Sequence, residues 1–533
     1  MTVALRILAA DPTGSRLVTV AKQKVYAAMA GIAASAVALA VGEIIAAVVS
    51  ARSAPLVAVG GAVIDNAPES GKELAIRLFG TNDKVALQVG TVILLVVFGA
   101  ALGVMAVHRM WVGLAGIALF GAVGVVAALT RTGAGADWAL PSLLGAAVAA
   151  LTLWLLVRLL TGGSDEFAGE LTTTSPARAM GGTERRRFLY AAWILIGGAA
   201  VAGFAGRTLG QRTVVNTARS RVVLPTPSGR PVLAPAEADV AGLSYVTTNE
   251  TFYRIDTAIV VPRIDPAVWT LTIDGRVGRP LRLTFDDLLR RPMIERYVTL
   301  ACVSNEVGGD LIGNARWLGV PVKDLLDEAA PESGADQVVS RSVDGFTAGT
   351  PTEVLRDGRD AMIAIAMNGE PLPVEHGFPA RMVVPGLYGY VSATKWLAEL
   401  ELSSFADFDA YWIPRGWAQQ APIKTESRID RPRSGSTVPA GAVVIAGVAW
   451  AQHRGISRVE VRVDDGPWQP ATLAATVSTD TWRLWSLPWD ATAGPHKIQV
   501  RATDNAGEVQ TETQAPPIPD GATGWHQIRV NVE

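Results

Sequence analysis

The single cysteine of this chain is the first residue whose type points to chemistry. Cys302 closes the short apolar run Tyr297–Cys302, a pattern that predicts a strand. A thiolate at a strand end suits coordination of a soft metal ion. A lone cysteine in an apolar run is also commonly a small buried hydrophobic side chain. Because there is only one cysteine, an intramolecular disulfide is excluded.

Two segments downstream of the cysteine carry basic residues at short spacing. One is His376-Gly-Phe-Pro-Ala-Arg381, and the other is Lys395-Trp396. Taken singly, each basic side chain is expected to be a solvated surface charge, and the histidine a structural one. Together, behind a strand-end cysteine, they form a specific combination.

This combination resembles the sulfite oxidase superfamily of molybdopterin enzymes, over roughly residues 240–533. The resemblance implies Mo-molybdopterin as the cofactor and an oxidoreductase activity. It also implies that Cys302 supplies the protein thiolate to molybdenum, a soft ligand for a metal already held by the pterin dithiolene. The other residues that match cofactor contacts of the family are Asn249, Phe252, Tyr253, Arg254, Asp344, His376, Arg381, Thr394 and Lys395.

Three of these matches, His376, Arg381 and Lys395, fall around the pyranopterin and its phosphate in the family. Their residue types fit that position. A buried phosphate dianion needs fixed cations and hydrogen-bond donors; arginine offers a bidentate fork and lysine a point charge.

The substrate side departs from the sulfite oxidases. Those enzymes follow the cysteine with Gly-Asn-Arg-Arg, whereas this chain has Val303-Ser-Asn-Glu306, and the family's active-site tyrosine falls at Trp417. Arg454 matches the arginine that the C-terminal domain sends into the substrate pocket. A glutamate in place of arginine repels a small dianion. We therefore expect Arg454, Trp417 and Glu306 on the catalytic, substrate side, and a substrate other than simple sulfite, such as a sulfoxide or an N-oxide.

The elements around these residues predict two exported domains after a linker at 211–242. Residues 243–412 mix strands with short helices, including one that Thr284 caps, and predict an α+β molybdopterin domain. Residues 413–533 contain short alternating strands separated by turns such as Asp465-Gly466, which predict an immunoglobulin-like β-sandwich. The predicted sandwich strands are Val443–Trp450, Ile456–Val463, Trp482–Leu487 and His496–Ala502.

Residues 1–210 have a different composition and predict an all-α transmembrane bundle. The chain has 47 Lys and Arg against 49 Asp and Glu, so it lacks the basic excess of a nucleic-acid binder. Its mean hydropathy is nevertheless +0.28, and the apolar residues concentrate in runs long enough to cross a bilayer. The predicted spans are Val25–Val49, Val85–Val107, Trp111–Leu129, Trp138–Leu159 and Phe188–Gly206.

Basic residues flank the first, third and fifth predicted spans, which places those flanks in the cytoplasm and the C-terminal half outside. The fifth span begins with Arg185-Arg186-Arg187-Phe188-Leu189, which resembles a twin-arginine export signal. An ordinary positive-inside cluster would also satisfy these arginines. Twin-arginine export carries folded proteins, as an exported domain loaded with molybdopterin in the cytoplasm would require.

The sequence therefore predicts a multi-pass cell-membrane protein with an extracytoplasmic molybdopterin oxidoreductase that transfers oxygen atoms. His108 is the only histidine before His376, so a bis-histidine haem in the membrane half is not expected. Electrons would pass to or from a separate electron-transfer protein or a quinone. The expected partners are a small-molecule substrate and the lipid bilayer, with a homodimer through the sandwich implied by the resemblance. The alternative is a cofactor-free exported binding or scaffolding module on the same fold.

Overall fold

The computed structural model describes residues 12–67, 83–131, 134–161, 182–229 and 232–533. Contacts divide the chain into two compact units, Met1–Thr213 and Val214–Glu533. Each unit has a hydrophobic core of its own.

The first unit is helical. Four segments within it are long and apolar enough to cross a membrane: Gln23–Val49, Ala86–His108, Met110–Leu129 and Ala136–Thr161. They coincide with the first four predicted spans. The helices are α1 (Pro12–Val49), α2 (Pro55–Asn66), α3 (Asp83–His108), α4 (Met110–Leu129), α5 (Leu140–Thr161) and α6 (Gly182–Arg221).

Helix α6 holds the fifth predicted span and the arginine motif at its entrance. Its described apolar part is Phe188–Ala199, shorter than a full span. The side chains of Arg185 and Arg187, and those of residues 202–214, lie outside the described residues. Residues 211–221 continue this helix, so the chain at the start of the predicted linker is helical rather than irregular.

Close backbone contact between α1 and α3 explains the abundance of glycine in these helices. A Cβ atom on Gly31 would lie 1.8 Å from the carbonyl oxygen of Gly99. Small residues allow helices to approach closely where lipid gives little hydrophobic drive for association. The residues between the first two predicted spans also contain a helix, α2, which the sequence analysis did not predict.

The second unit begins with two five-stranded sheets, which confirm a mixed α+β domain. The first sheet has the strand order β2-β1-β10-β5-β6, and the second has β3-β4-β7-β8 with β9 paired to β7. The elements are β1 (Thr270–Gly275), β2 (Leu281–Thr284), α7 (Phe285–Leu289), β3 (Ile294–Ala301), β4 (Ile312–Pro321), α8 (Val322–Ala329), β5 (Gln337–Ser342), β6 (Thr347–Pro351), β7 (Met362–Met367), β8 (Glu370–Pro371), β9 (Arg381–Val383) and β10 (Leu397–Ser403). The predicted cap is present: Thr284 accepts a hydrogen bond from the backbone of Asp287 in a capping box.

A two-sheet sandwich follows, as predicted. Its sheets have the orders β11-β13-β17-β16 and β12-β19-β18-β14-β15. Alternate residues, including Ile445, Val459, Trp485 and Val500, fill the space between the sheets. The strands are β11 (Glu426–Arg431), β12 (Thr437–Val438), β13 (Gly441–Trp450), β14 (Ile456–Val463), β15 (Gln469–Pro470), β16 (Thr472–Leu473), β17 (Arg483–Ala491), β18 (Gly494–Asp504) and β19 (His526–Val532).

Three hydrogen bonds connect the sandwich to strand β3 of the α+β domain at Thr299. The Thr299 N–H donates to the Asp480 carbonyl at 3.0 Å, and the Trp482 N–H donates to the Thr299 hydroxyl at 2.8 Å. Gln452 Nε2 donates to the Thr299 carbonyl at 3.1 Å. Strand β3 leads directly to Cys302, so these contacts fix the strand that presents the cysteine.

Candidate active site

Cys302 lies immediately after β3, where the chain turns back towards β4. Its N–H donates to the Leu311 carbonyl at 2.9 Å, and Asn305 Oδ1 accepts a hydrogen bond from the Leu311 N–H at 2.8 Å. These bonds close the loop from Cys302 to Leu311. The cysteine is only 8% exposed, yet it lines a cavity rather than packing entirely among aliphatic groups.

The environment of the thiol contains both opposing and favourable influences on ionisation. Burial raises the pKa of Cys302, while hydrogen bonds from the backbone and side chain of Ser304 to the sulfur lower it. The net direction is upward, so the free thiol is protonated near neutral pH. A bound metal would supply the charge that makes the sulfur a thiolate.

The cavity is where most of the predicted residues meet. Phe252, Tyr253, Cys302, Asp344, His376, Arg381, Lys395 and Trp417 all line it. They come from separate parts of the chain, so the fold has assembled them. Residues that the sequence analysis did not name also line it, among them Asp256, Ser304, Tyr390 and Trp412.

Arg381 and His376 form one wall of the cavity. Arg381 is 5% exposed, and its guanidinium donates to the carbonyls of Met382, His376 and Ala393 at 3.2–3.3 Å. His376 Nε2 lies 3.1 Å from the carbonyl oxygen of Asn249, so Asn249 orients this histidine through its backbone.

The intervening Gly377 explains the sequence His376-Gly-Phe-Pro. Its φ is +111°, and a Cβ there would approach the Cα of Lys395 at 3.2 Å. Both the dihedral angle and the close approach favour glycine. The His376 and Lys395 segments therefore pack backbone to backbone at this point.

Lys395 completes the basic part of the wall. Its Nζ donates to Asp256 Oδ2 at 2.7 Å and to the Glu375 carbonyl at 3.2 Å. The ammonium also lies 4.7 Å from the centre of the Trp396 ring. We call His376, Arg381 and Lys395 the basic cluster.

Burial dominates the ionisation of the basic cluster. It lowers the pKa of His376 to about 4, with the charges of Arg381 and Lys395 acting in the same direction. It lowers the pKa of Arg381 to about 10 and that of Lys395 to about 8, against the opposing effect of Asp256. At neutral pH the histidine is thus neutral, while Arg381 and Lys395 are cationic.

A second part of the wall is aromatic. Tyr390 and Trp412 contact Trp417, with ring centroids 5.7 and 6.3 Å from it. Trp417 is 9% exposed, and its Nε1 has no hydrogen-bond partner among the described residues. The Tyr390 hydroxyl donates to the Ala418 carbonyl at 2.5 Å. We call Tyr390, Trp412 and Trp417 the aromatic cluster.

Two of the three predicted catalytic residues do not line this cavity. Glu306 is exposed in the Cys302 loop. Arg454 donates to Asp504, to Thr425 and to the Ile423 carbonyl at 2.8–3.0 Å, which occupies its side chain. Of the predicted catalytic residues, only Trp417 reaches the cavity.

Three predicted cofactor residues also lie outside the cavity lining but adjoin residues in it. Asn249 bonds to His376 as described, and Arg254 Nε donates to Asp256 Oδ2 at 2.9 Å. Thr394 is fully buried, and its hydroxyl lies 2.7 Å from the Ser340 hydroxyl.

The residues missed by the sequence analysis had weak sequence cues. Asp256 follows Arg254 by two positions, and Trp412 precedes Trp417 by five, so both lay within segments already considered. Attention to every charged and aromatic residue within a few positions of a match would have found them. The same cue applies to Tyr390, which precedes the match Lys395 by five positions.

The donor set fits a molybdenum–pterin group better than a metal held by protein alone. In the described residues, no group of three or more His, Cys, Asp or Glu could hold a metal ion. Cys302 would supply one ligand, and the basic cluster would hold the phosphate. Such a group supplies oxygen-atom transfer chemistry when bound. The chain's residues would hold the group and present the sulfur to it.

Comparison with known proteins identifies the two halves of the second unit. Residues 258–412 match the family described as "Oxidoreductase molybdopterin binding domain". Residues 426–500 match the family described as "Bacterial Ig domain".

Curated relatives match half or more of this chain. Mitochondrial sulfite oxidase of Rattus norvegicus is 30% identical over 359 residues, covering 57% of this chain and 65% of the relative. Sulfite oxidase of Arabidopsis thaliana is 29% identical, covering 50% and 83% respectively. The chain thus spans about 65% of the length of the mitochondrial relatives. Among solved structures, the sulfane dehydrogenase SoxCD of Paracoccus pantotrophus is 25% identical, with a TM-score of 0.47, over 54% of this chain and 84% of that one.

Proposed function

We propose that the chain, which belongs to the sulfite oxidase superfamily of molybdopterin oxidoreductases, is a membrane-anchored enzyme that transfers an oxygen atom to or from a small neutral substrate. The observation that carries the proposal is the meeting of the buried Cys302 sulfur with the basic cluster around one cavity. A soft ligand and fixed cations are what a molybdenum–pterin phosphate needs.

The aromatic cluster supports a neutral substrate. Where the sulfite oxidases are expected to place arginines, this chain has an exposed Glu306 and an Arg454 bound to Asp504. Among the described cavity residues, the only arginine is Arg381, which belongs to the basic cluster. Aromatic walls bury apolar substrate groups, and an indole N–H without a partner can donate to a single oxygen acceptor. A sulfoxide or an N-oxide has this combination.

The membrane half supports an anchored enzyme. Four apolar helices are long enough to span the bilayer. With the predicted fifth span, Phe188–Gly206, the distribution of basic residues favours an extracytoplasmic catalytic domain. Export through the twin-arginine route would let the cofactor be inserted before crossing. Electrons would then pass to or from a separate electron-transfer protein or a quinone. If the chain forms a homodimer, the contact would be made by the sandwich.

Elemental and pterin analysis of the full chain tests the proposal. Protein purified from membranes of a cofactor-competent host should contain about one molybdenum and one pterin per chain. Absence of both would instead support a cofactor-free binding module on the same fold.

A Cys302→Ser variant tests the sulfur ligand separately. We expect it to lose the sulfur-to-metal charge-transfer absorption and oxygen-transfer activity, because a hydroxyl is a poor substitute for a soft thiolate. A Cys302→Ser protein that kept both would contradict the ligand assignment.

A further inference from the structure

Asp256 is an acidic side chain in contact with the basic cluster. Its carboxylate is 4% exposed and lines the cavity. Its Oδ2 accepts hydrogen bonds from Lys395 Nζ at 2.7 Å and from Arg254 Nε at 2.9 Å. Neither the predicted site residues nor the relatives' names give this carboxylate a role.

We infer that Asp256 is a positioning residue that holds Lys395 and Arg254 side by side as a two-cation clamp for the cofactor phosphate. The inference rests on the proposed function, since it takes the molybdopterin phosphate as the anion that the clamp receives. It assigns Asp256 a role in binding, not in the oxygen-transfer reaction.

Lys395 and Arg254 both keep hydrogen-bond donors that Asp256 does not occupy. An ammonium has three donors, and Lys395 uses one on Asp256 and one on the Glu375 carbonyl. One donor therefore remains. Arg254 uses Nε on Asp256, and within the described part of the chain its terminal nitrogens have no partner. A single carboxylate oxygen thus aligns two cations and leaves both with donors for an anion.

The arrangement also explains how a lysine stays charged when buried. The side chain of Lys395 is 8% exposed, and a buried ammonium without a counter-ion loses its proton readily. The charged groups that act on Lys395 are Asp256, which favours the ammonium, and Arg381 and Arg254, which oppose it. Removing Asp256 would leave only the opposing charges.

The test compares cofactor retention in full-length protein in detergent for wild type, Asp256→Asn, Lys395→Met and the double variant. Each protein is incubated at pH values from 6 to 9, and released and bound pterin are measured by fluorescence, with molybdenum by mass spectrometry. Asp360→Asn is the matched control, because Asp360 pairs with Arg296 at 2.7 Å and does not line the cavity.

We expect Asp256→Asn to retain about tenfold less pterin than wild type at pH 8, the lower end for loss of a supporting group. Its release should begin at a pH at least about one unit lower, since Lys395 loses its proton earlier without the carboxylate. Asp256→Glu should restore part of the retention. In the Lys395→Met background, the Asp256→Asn change should have a smaller effect that does not vary with pH, because the ammonium is absent and only the alignment of Arg254 is lost.

Three results would overturn the inference. One is that Asp256→Asn retains as much pterin as wild type at every pH. Another is that Asp256→Asn loses the same fraction of its pterin at every pH. A third is an undiminished effect of Asp256→Asn in the Lys395→Met background. If Asp256→Asn does not fold, the double variant, which removes both charges, is compared with Lys395→Met alone, and a difference in retention that varies with pH would then contradict the clamp. Wild type without pterin would reject the proposed function itself, together with the clamp.

Discussion

The basic cluster and the aromatic cluster share one cavity but differ in how closely they follow the superfamily. His376, Arg381 and Lys395 occupy positions expected from the resemblance, and backbone carbonyls or Asp256 hold each of them. By the resemblance, Trp417 falls where the family has a tyrosine, and its Nε1 has no partner in the described residues. The basic cluster thus agrees with the expectation from the resemblance, whereas the aromatic cluster departs from it.

The proposed function implies that cofactor binding and substrate choice are separable in this fold. The basic cluster would bind the cofactor phosphate, so its geometry would be constrained by that one ligand. The aromatic cluster would contact the substrate, so its residues could change without loss of the cofactor. Variants in the two clusters should accordingly change different measured quantities.

The largest effect is expected from Arg381→Met in the basic cluster. The change removes a buried cation and leaves the carbonyls of Met382, His376 and Ala393 without their donor. We expect loss of bound pterin and a fall of about 1–3 kcal/mol in the free energy of unfolding. Pterin content and urea unfolding are the measurements.

Arg356→Met is the control for Arg381→Met. Arg356 pairs with Asp327 on the surface, with its side chain 44% exposed. We expect a change in unfolding free energy below about 1 kcal/mol and unchanged pterin content. If the two variants lost equal amounts of pterin, the proposal that the basic cluster binds the cofactor would be refuted.

A smaller effect is expected from Trp417→Phe in the aromatic cluster. The substitution removes a donor that has no partner in the described chain, so pterin content should not change. If Trp417 donates to the substrate oxygen, KM for a sulfoxide or an N-oxide should rise about tenfold, with kcat less affected. Steady-state kinetics measures both constants.

Trp485→Phe provides a matched control for Trp417→Phe. Trp485 is buried in the sandwich core, and its Nε1 likewise has no hydrogen-bond partner in the described chain. We expect it to lower stability by about 1–3 kcal/mol through lost packing and to leave KM unchanged. A rise in KM for Trp485→Phe equal to that for Trp417→Phe would point to a general loss of structure.

The next prediction concerns pH and separates His376 from its cationic neighbours. Because its pKa in the folded chain is about 4, below that of an unfolded histidine, the unfolded chain binds the extra proton first as pH falls. Stability from His376 should therefore be lost between about pH 6.5 and 4, by up to about 1.4 kcal/mol per pH unit. His376→Gln should remove this slope in unfolding experiments.

His526 in the sandwich gives an internal comparison. Burial and Arg428 lower its pKa to about 4 as well. His526→Gln should therefore remove a similar slope but leave pterin content unchanged, whereas His376→Gln should change both. Burial raises the pKa of Glu426 to about 8, so protonation of Glu426 stabilises the fold as pH falls, opposite to the effect of the two histidines. The slope of unfolding free energy against pH is therefore compared between each variant and wild type. Equal slopes in all three proteins would reject the prediction.

The smallest effect is expected from Glu306→Gln. Glu306 is exposed and does not line the cavity. We expect KM for a neutral substrate to stay within about twofold, because an exposed charge is screened by salt. A several-fold change at physiological ionic strength would mean that Glu306 approaches the substrate.

The sequence allowed prediction where chemistry or periodicity was local. The Thr284 cap, the sandwich strand Ile456–Val463 and the strand that ends beside Cys302 were all predicted within a few residues. The helix α2 was missed because it is only 12 residues long and follows an apolar span. The helical run from 211 to 221 was missed because polar composition was taken to indicate a linker.

Within the site, matches to a family motif placed residues near the cavity but not always in it. Arg454 fits the motif, yet Asp504 and Thr425 hold its side chain elsewhere, which only the three-dimensional arrangement shows. Asp256 was missed for the converse reason. No motif includes it, and its importance comes from the distance to Lys395, 139 positions away in sequence.

The contacts at Thr299 have a consequence for how such proteins evolve. Three backbone or side-chain bonds from Gln452, Asp480 and Trp482 end on one residue, three positions before the cysteine. A recombination event that exchanged the immunoglobulin-like module for an unrelated one would remove all three at once. The module therefore should be inherited together with the cofactor domain, as one evolutionary cassette, rather than shuffled as an independent appendage.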